Sequence, residues 1–352
     1  MRNGNIVHVM GTGTIGEPLI GLLADLRQDL GIDEVTFSKR TPLLVDRSKV
    51  LDLVKRGAKL CVEKKKIKKF KELELAPDYD FEEAISRATV VIDCTPSGLE
   101  NKEHYYKKFD KVKCFVAQGS EFGFGKMYAL GINDEALSPA DRFIQVVSCN
   151  THNMAVIVKT LAIDGNCSQL NEGKFLCLRR ASDISQEGEF VPALKIDGHK
   201  DPKFGTHHAH DVHWLYKTIG IDLNVFSSSI KLNTQYMHAI WFDLKLLRDI
   251  KENEVMDRIK KNPMIAVTYK KITSLVFSFG RDHGYFGRIL NQTVVVLPSL
   301  TIRNGNEVIG FCFTPQDGNS LLSNIAVIEQ ILYNDSWNEK MNKLDSYRFS
   351  EV

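Results

Sequence analysis

The pattern of apolar and polar positions changes character about halfway along the chain. In the first half, solid apolar runs alternate with stretches of helical period. "NIVHVM" leads into "GTGTIGEPLIGLLADLRQDLG", a predicted helix that stops at a glycine. "EVTF", "TVVIDC", "KCFVAQGS" and "FIQVV" are further strand-like runs, with helices predicted over 46–57, in "FEEAISRA" and in "HYYKKF". Apolar runs joined by helices predict a parallel, doubly wound sheet through about residue 148. Beyond that point "KFLCLRRAS", "LNVFSSSIKLNTQ", "YMHAIWFDLKL", "TVVVLPSLTI" and "EVIGFCFTP" read as long strands with few helices between them. In "YMHAIWFDLKL", His238, Ile240, Phe242 and Leu244 alternate against their neighbours, which predicts a mostly antiparallel sheet. The late stretch "SLLSNIAVIEQILY" reads as an amphipathic helix.

Composition narrows this little. A chain of 352 residues exceeds what one compact core usually holds, so two domains are expected. A net charge of +2 is too small to argue for nucleic acid, and no apolar run reaches membrane-spanning length. The N-terminus lacks a signal-peptide layout, and the seven cysteines show neither CxxC pairs nor framework spacing. These features suit a reducing cytoplasm.

The strongest local motif is Gly11-x-Gly13-x-x-Gly16, directly after a strand and opening a helix. Glycines there allow a tight turn and close backbone approach, and the helix N-terminus faces a pyrophosphate. The next strand ends in Ser38, Lys39 and Arg40, where an NAD-binding fold would carry an acidic residue. Two cations and a hydroxyl suit a 2′-phosphate, so NADP is the preferred cofactor, with NAD an alternative.

The stretch "IQVVSCNTHNM" sets Cys149 at a strand-to-helix corner, between Ser148 and Asn150-Thr151. A helix N-terminus stabilises a thiolate, and its free N–H groups can hold an oxyanion. A small buried cysteine at a domain junction explains the local sequence equally well. Arg179 and Arg180 end a predicted strand, and "GTHHAHDVH" gathers His207, His208, His210 and His213. That cluster could bind a metal, lie in solvent, or hold phosphate with the arginines. The lone His238 of an apolar strand is a core residue or, beside a nucleophilic cysteine, a general base. The lysine tract at 64–69 is an anion-binding patch or a solvated face.

In their order along the chain, "GTGTIG", "SKR", "VVIDCTPSG", "AQGSE", "VVSCNT", "RRASD", "THHAHDV", "MH" and "PQDGN…SNIAVIEQIL" resemble the archaeal-type (type II) glyceraldehyde-3-phosphate dehydrogenases. The resemblance implies an N-terminal Rossmann dinucleotide-binding domain over 1–148 and an α+β catalytic domain over 149–316. It also implies a C-terminal segment, 317–352, whose helix packs back on the first domain. It implies Cys149 as nucleophile and His238 as the catalytic histidine. Ser148, Asn150, Thr151, Arg179, His207 and His208 would lie on the substrate and phosphate side. Thr14, Ile15, Thr95, Gly119, Arg180 and Gln316 would join the glycines at the cofactor. No metal is implied. The implied partners are a phosphorylated aldehyde or acyl phosphate, inorganic phosphate and other copies of the chain, as a homotetramer; neither nucleic acid nor membrane is expected.

The sequence departs from the family's usual "SCNTTGLCR", with His152, Asn153 and Val156 where Thr, Gly and Arg are expected, and Ile240 replaces the second histidine of "MHxH". His152 is expected to make a substrate-side anion contact in place of the lost Thr or Arg. Two other functions stay open: another acyl-phosphate reductase of the semialdehyde dehydrogenase type, and an NADP-binding regulator without catalysis.

Overall fold

The computed structural model describes residues 4–183, 188, 190–315 and 317–352. The chain forms two compact units, each drawn from separated stretches. The first comprises Met1–Lys126, Leu137–Val146 and Ser323–Lys343; the second comprises Met127–Ala136, Val147–Leu322 and Leu344–Val352.

The first unit carries strands β1 (Ile6–Met10), β2 (Glu34–Ser38), β3 (Lys59–Val62), β4 (Tyr79–Asp80), β5 (Val90–Asp93) and β6 (Cys114–Gln118). β7 (Lys126–Tyr128) takes the chain into the second unit, and β8 (Phe143–Val146) lies in the first. Helices α1 (Gly16–Leu30), α2 (Arg47–Lys55), α3 (Ile67–Glu72), α4 (Phe81–Arg87) and α5 (Gly98–His104) connect the strands. The strands pair in parallel in the order β4-β3-β2-β1-β5-β6-β8. The parallel doubly wound sheet is the one the apolar runs predict. Strand order reverses between β1 and β5, and in such sheets ligands bind beyond the strand ends at that reversal. Gly11 follows β1 there and Thr95 follows β5. Within the lysine tract, Lys64 and Lys65 are exposed while Phe70 of α3 is buried.

The second unit begins its helical part with α6 (Cys149–Ala162), followed by a short hairpin, β9 (Ile163–Asp164) and β10 (Cys167–Ser168). The other strands are β11 (Leu170–Arg179), β12 (Lys195–Ile196), β13 (Val225–Lys231), β14 (His238–Leu246), β15 (Ile265–Thr268), β16 (Thr293–Val296), β17 (Thr301–Arg303) and β18 (Glu307–Thr314). They form a mixed sheet in the order β12-β13-β11-β14-β18-β16-β15, with β17 beside β18. The pairs β11–β13 and β15–β16 are parallel and the rest antiparallel.

Two expectations need correction. The second half is not poor in helices: α7 (His207–Lys217), α8 (Glu252–Lys261) and α9 (Thr273–His283) interrupt the strands. The run "TVVVLPSLTI" is two strands, because a 3-10 turn at Leu297–Ser299 separates β16 from β17. Pro298 lies in that turn; it has no N–H for a ladder and its fixed φ suits a turn start.

α6 is almost wholly buried, with its apolar residues Met154, Val156, Ile157, Val158 and Leu161 in one core with Phe175, Tyr216 and Phe242. α10 (Leu321–Tyr333) and α11 (Trp337–Asn342) follow, and residues 323–343 belong to the first unit. There Asn324 hydrogen-bonds Gln118 at 3.0 Å, and Tyr333 Oη donates to Gly31 O at 2.6 Å. The last residues return to the second unit: Val352 N donates to Val267 O at 2.9 Å, and Thr268 Oγ1 to Val352 O at 2.6 Å.

Candidate active site

The apolar strand β8 gives way at Ser148 to an extended residue, φ −68° and ψ 163°, whose side chain caps α6. Ser148 Oγ accepts from the N–H of Thr151 at 3.4 Å and lies 2.8 Å from Thr151 Oγ1. This capping fixes the first turn, which Cys149 opens. The Cys149 carbonyl accepts from Asn319 Nδ2 at 2.8 Å, and the same amide donates to Gln292 O at 3.1 Å.

The thiol's surroundings pull in opposite directions. Burial pushes the Cys149 thiol up to about 12, while the Arg180 guanidinium and the Asn150 N–H favour the thiolate. Arg180 is itself held by carboxylates: Nη2 lies 2.7 Å from Asp183 Oδ1 and 3.2 Å from Asp317 Oδ1. Both carboxylates favour the protonated thiol. Cys149 is only part-buried, and burial together with the two carboxylates favours the thiol form.

Arg180 also organises the histidine on β14. Its backbone N–H donates to His238 Nδ1 at 2.9 Å. A nitrogen that accepts this bond carries no proton, so the neutral ring carries it on Nε2. Burial, with Arg180 and Arg179 nearby, lowers the His238 pKa to about 3, so the ring is neutral. The structure thus brings Cys149, Arg180 and His238 within one electrostatic neighbourhood.

α7 separates the histidines that the sequence bunches together. His207 and His208 sit at its start with ring centroids 3.9 Å apart. His213 is buried, with Nδ1 3.0 Å from Leu223 O, and His210 Nδ1 lies 3.2 Å from Asp211 Oδ1. Burial and the neighbouring arginine lower the pKa of both His207 and His208. Among the described residues, no group of three or more His, Cys, Asp or Glu could hold a metal ion. His207, His210 and Thr206 line a cavity of about 430 Å³ with Arg179, Lys200 and Asp197. Arg179 Nη1 is bonded there to Asp197 Oδ2 at 3.0 Å.

His152 makes a different contact from the one expected. Its ring is buried, with Nδ1 3.0 Å from Ser148 O, and burial lowers its pKa to about 4. It belongs to the packing of the corner. Asn150 and Thr151 are also buried.

The other sequence-selected residues form a second site, in the first unit. Gly11 has φ +91°, and a Cβ on Gly16 would stand 2.1 Å from Gly11 O, so the turn needs glycine at both places. Thr12 and Thr14 are buried, and Gly13 O accepts from Glu17 N at 3.0 Å as α1 begins. Ile15 is the residue before α1. A cavity of about 480 Å³ opens here, lined by Gly11, Ser38, Lys39, Arg40, Thr95 and Tyr105 among others. Thr95 N donates to Asp93 Oδ1 at 2.8 Å. Gly119, φ +81°, has open space where a Cβ would point. Gln316 lies outside the described residues. This turn, the helix N-terminus and the cavity at the strand-order reversal fit a dinucleotide. Of the three residues chosen for a 2′-phosphate, Ser38 Oγ lies 3.3 Å from His8 Nε2 and Lys39 Nζ pairs with Asp46 at 2.5 Å. Arg40 is exposed at the cavity.

Sequence reasoning missed Asp317 and Asn319. "TPQDGN" marks a turn, but nothing local announces that its Asp317 reaches Arg180.

No family model matches the chain. Curated proteins do. A glyceraldehyde-3-phosphate dehydrogenase of Pyrobaculum arsenaticum is 25% identical over 338 residues, covering 93% of this chain and 92% of its own length. Those of Metallosphaera sedula (27% identical; 92% of each chain) and Methanobrevibacter smithii (25%; 95% of this chain and 96% of its own) match similarly. Over most of its length the chain is thus similar to archaeal glyceraldehyde-3-phosphate dehydrogenases. The similarity to these dehydrogenases spans both units, yet most aligned positions differ. Residue roles must therefore rest on the geometry of this chain.

Proposed function

We propose that the protein is a phosphorylating glyceraldehyde-3-phosphate dehydrogenase. It interconverts glyceraldehyde 3-phosphate plus phosphate with 1,3-bisphosphoglycerate through a thioester on Cys149. One observation carries the reading: a cysteine opens a capped helix beside the buried Arg180, whose backbone also fixes the tautomer of His238. The named function of the relatives, and an oxidoreductase activity in general, agree with it.

The nicotinamide cofactor, when bound, supplies the hydride acceptor or donor. Gly11, Gly13 and Gly16 would hold its pyrophosphate and Arg40 its 2′-phosphate, so NADP is preferred. The Cys149 sulfur bonds to the aldehyde carbon, and the thiol proton passes to the aldehyde oxygen to give a hemithioacetal. N–H groups of the first turn of α6 and His238 Nε2–H stabilise charge on that oxygen. With Nδ1 committed to Arg180 N–H, His238 works as a donor rather than as a base. Loss of hydride, and of the hydroxyl proton to water, leaves the thioester. Phosphate then attacks its carbonyl and expels the Cys149 sulfur. Arg179, His207 and Lys200 line a cavity suited to the phosphate groups. The same reading takes the protein as a cytoplasmic homotetramer acting in glycolysis or gluconeogenesis. Phe311, Ile272 and Leu275, exposed on the second unit, suit subunit contact.

The raised thiol favours a second reading, a cofactor-binding protein without catalysis. One assay separates the two: NADPH oxidation driven by 1,3-bisphosphoglycerate, with wild type and Cys149→Ser. Turnover by wild type and its loss in the variant are expected. An inactive wild type that still binds NADPH selects the non-catalytic reading.

A further inference from the structure

Behind Cys149, five buried side chains of the second unit form a continuous hydrogen-bonded series. Cys312 Sγ donates to Asn153 Oδ1 at 3.0 Å. Asn153 Nδ2 donates to Thr314 Oγ1 at 2.8 Å. Thr314 Oγ1 donates to Asn150 Oδ1 at 3.1 Å. Asn150 Nδ2 faces His208 Nε2 at a longer 3.5 Å. Cys312, Asn153 and Thr314 are fully buried, while Asn150 and His208 are 2% and 4% exposed.

The orientations of the two amides set the direction of the whole series. Thr314 has one hydroxyl proton and gives it to Asn150 Oδ1, so it accepts from Asn153. Asn153 turns its amide nitrogen to Thr314 and its oxygen to the Cys312 thiol. Asn150, whose oxygen is engaged by Thr314, presents its NH₂ to His208. An amide nitrogen can only donate, so His208 Nε2 must be unprotonated. Burial keeps His208 neutral, so its one proton sits on Nδ1. His208 Nδ1 is buried and has no hydrogen-bond partner among the described residues. Buried donors are rarely left unpaired, and this one calls for a partner outside the protein: a ligand, an ion or a water.

We propose that Cys312, Asn153, Thr314 and Asn150 are positioning residues that lock His208 as an Nδ1–H donor for an anionic oxygen of the bound substrate. Asn153 is one of the departures from the family pattern, so this lock is a property of this chain. The substrate half of the proposal rests on the dehydrogenase reading; the tautomer half does not.

The test is ¹⁵N NMR of the full-length protein labelled at histidine, with the His208 signals assigned by their loss in His208→Gln. Nδ1 should give the protonated, pyrrole-type shift and Nε2 the unprotonated, pyridine-type shift. Thr314→Val, nearly isosteric, removes the hydroxyl that orients Asn150. It should leave His208 in mixed tautomers, and Thr314→Ser should restore the lock. Inorganic phosphate or glyceraldehyde 3-phosphate should shift the Nδ1–H resonance in wild type. In turnover, Thr314→Val should lower kcat about 10-fold with KM changed less, the size expected for one misoriented neutral hydrogen bond. A wild-type His208 protonated on Nε2, or one unaltered by Thr314→Val, overturns the lock whatever the activity. A correct tautomer whose Nδ1–H ignores both ligands overturns the substrate contact. A correct tautomer without any turnover of 1,3-bisphosphoglycerate removes the dehydrogenase reading and leaves the lock standing.

Discussion

At Cys149 one sulfur feels a cation and two carboxylates, and the carboxylates reach it through the Arg180 ion pairs. Removing one of those charges should shift the balance toward thiolate. Asp317→Asn keeps a side chain that tolerates the positive φ of 70° at this position. The pH midpoint for alkylation of Cys149 by iodoacetamide should then fall by about one unit. A midpoint that stays in place would mean Asp183 alone sets the thiol. At the cofactor site, Arg40→Ala should raise the KM for NADPH by about 10- to 100-fold, the worth of a charge-assisted contact, with NADH little affected. Lys39→Ala should do less, because Lys39 is already paired with Asp46. Equal losses for both cofactors would remove the 2′-phosphate role. The corner at Cys149 was legible because it is local: an apolar run, a capping serine and a helix adjoin in sequence. The Asp317–Arg180 and Asn153–Thr314 contacts were not, since they join residues far apart in the chain: the first depends on where the ends of β11 and β18 fall in the sheet, the second on how β18 lies against α6.

At the scale of the element, α10 holds an unusual residue. Glu329 is fully buried and neither carboxyl oxygen has a hydrogen-bond partner among the described residues. Burial raises its pKa from 4.5 to about 8. The folded state therefore keeps a proton that the unfolded chain releases. Below the unfolded pKa both states are protonated and folding bears no penalty. As pH rises from about 4.5 to about 8 the unfolded state alone ionises, so stability falls, and it levels off once the folded carboxyl ionises too. Glu329→Gln should abolish that slope, raising Tm more at pH 8 than at pH 5. Thermal melts across this range check it; parallel curves for both proteins would exclude the linkage. The sequence announced this helix by its apolar periodicity, but one glutamate in such a pattern reads as the solvent face. α7 escaped notice for the opposite reason: its polar histidines hide a helix whose buried side carries Ala209, Val212, Leu215 and Tyr216.

For the whole molecule, the path of the chain matters more than any single boundary. The first unit is completed by residues 323–343, which arrive only after the second unit has been traversed. They supply Asn324 against Gln118 and Tyr333 against Gly31 and Asn5. They also bring the apolar face of α10, including the buried Ile325, Val327 and Ile328. A cut near residue 148 looks natural in sequence, where strands give way to the cysteine corner, yet it leaves this surface uncovered. A fragment of residues 1–148 should therefore melt without a cooperative transition, expose apolar surface to dyes and fail to retain NADPH. Supplying 323–343 through a flexible linker after residue 148 should restore cooperative melting. The first unit needs those residues for its core, and a fragment that folds and binds cofactor without them would show that the core closes within the first stretch alone. Deleting 349–352 is the converse cut: it removes Val352 from beside Val267 and Phe349 from Asn291. Faster hydrogen exchange at Ile265–Thr268, with the first unit unaltered, is the expected signature, because those bonds close that strand within the second unit.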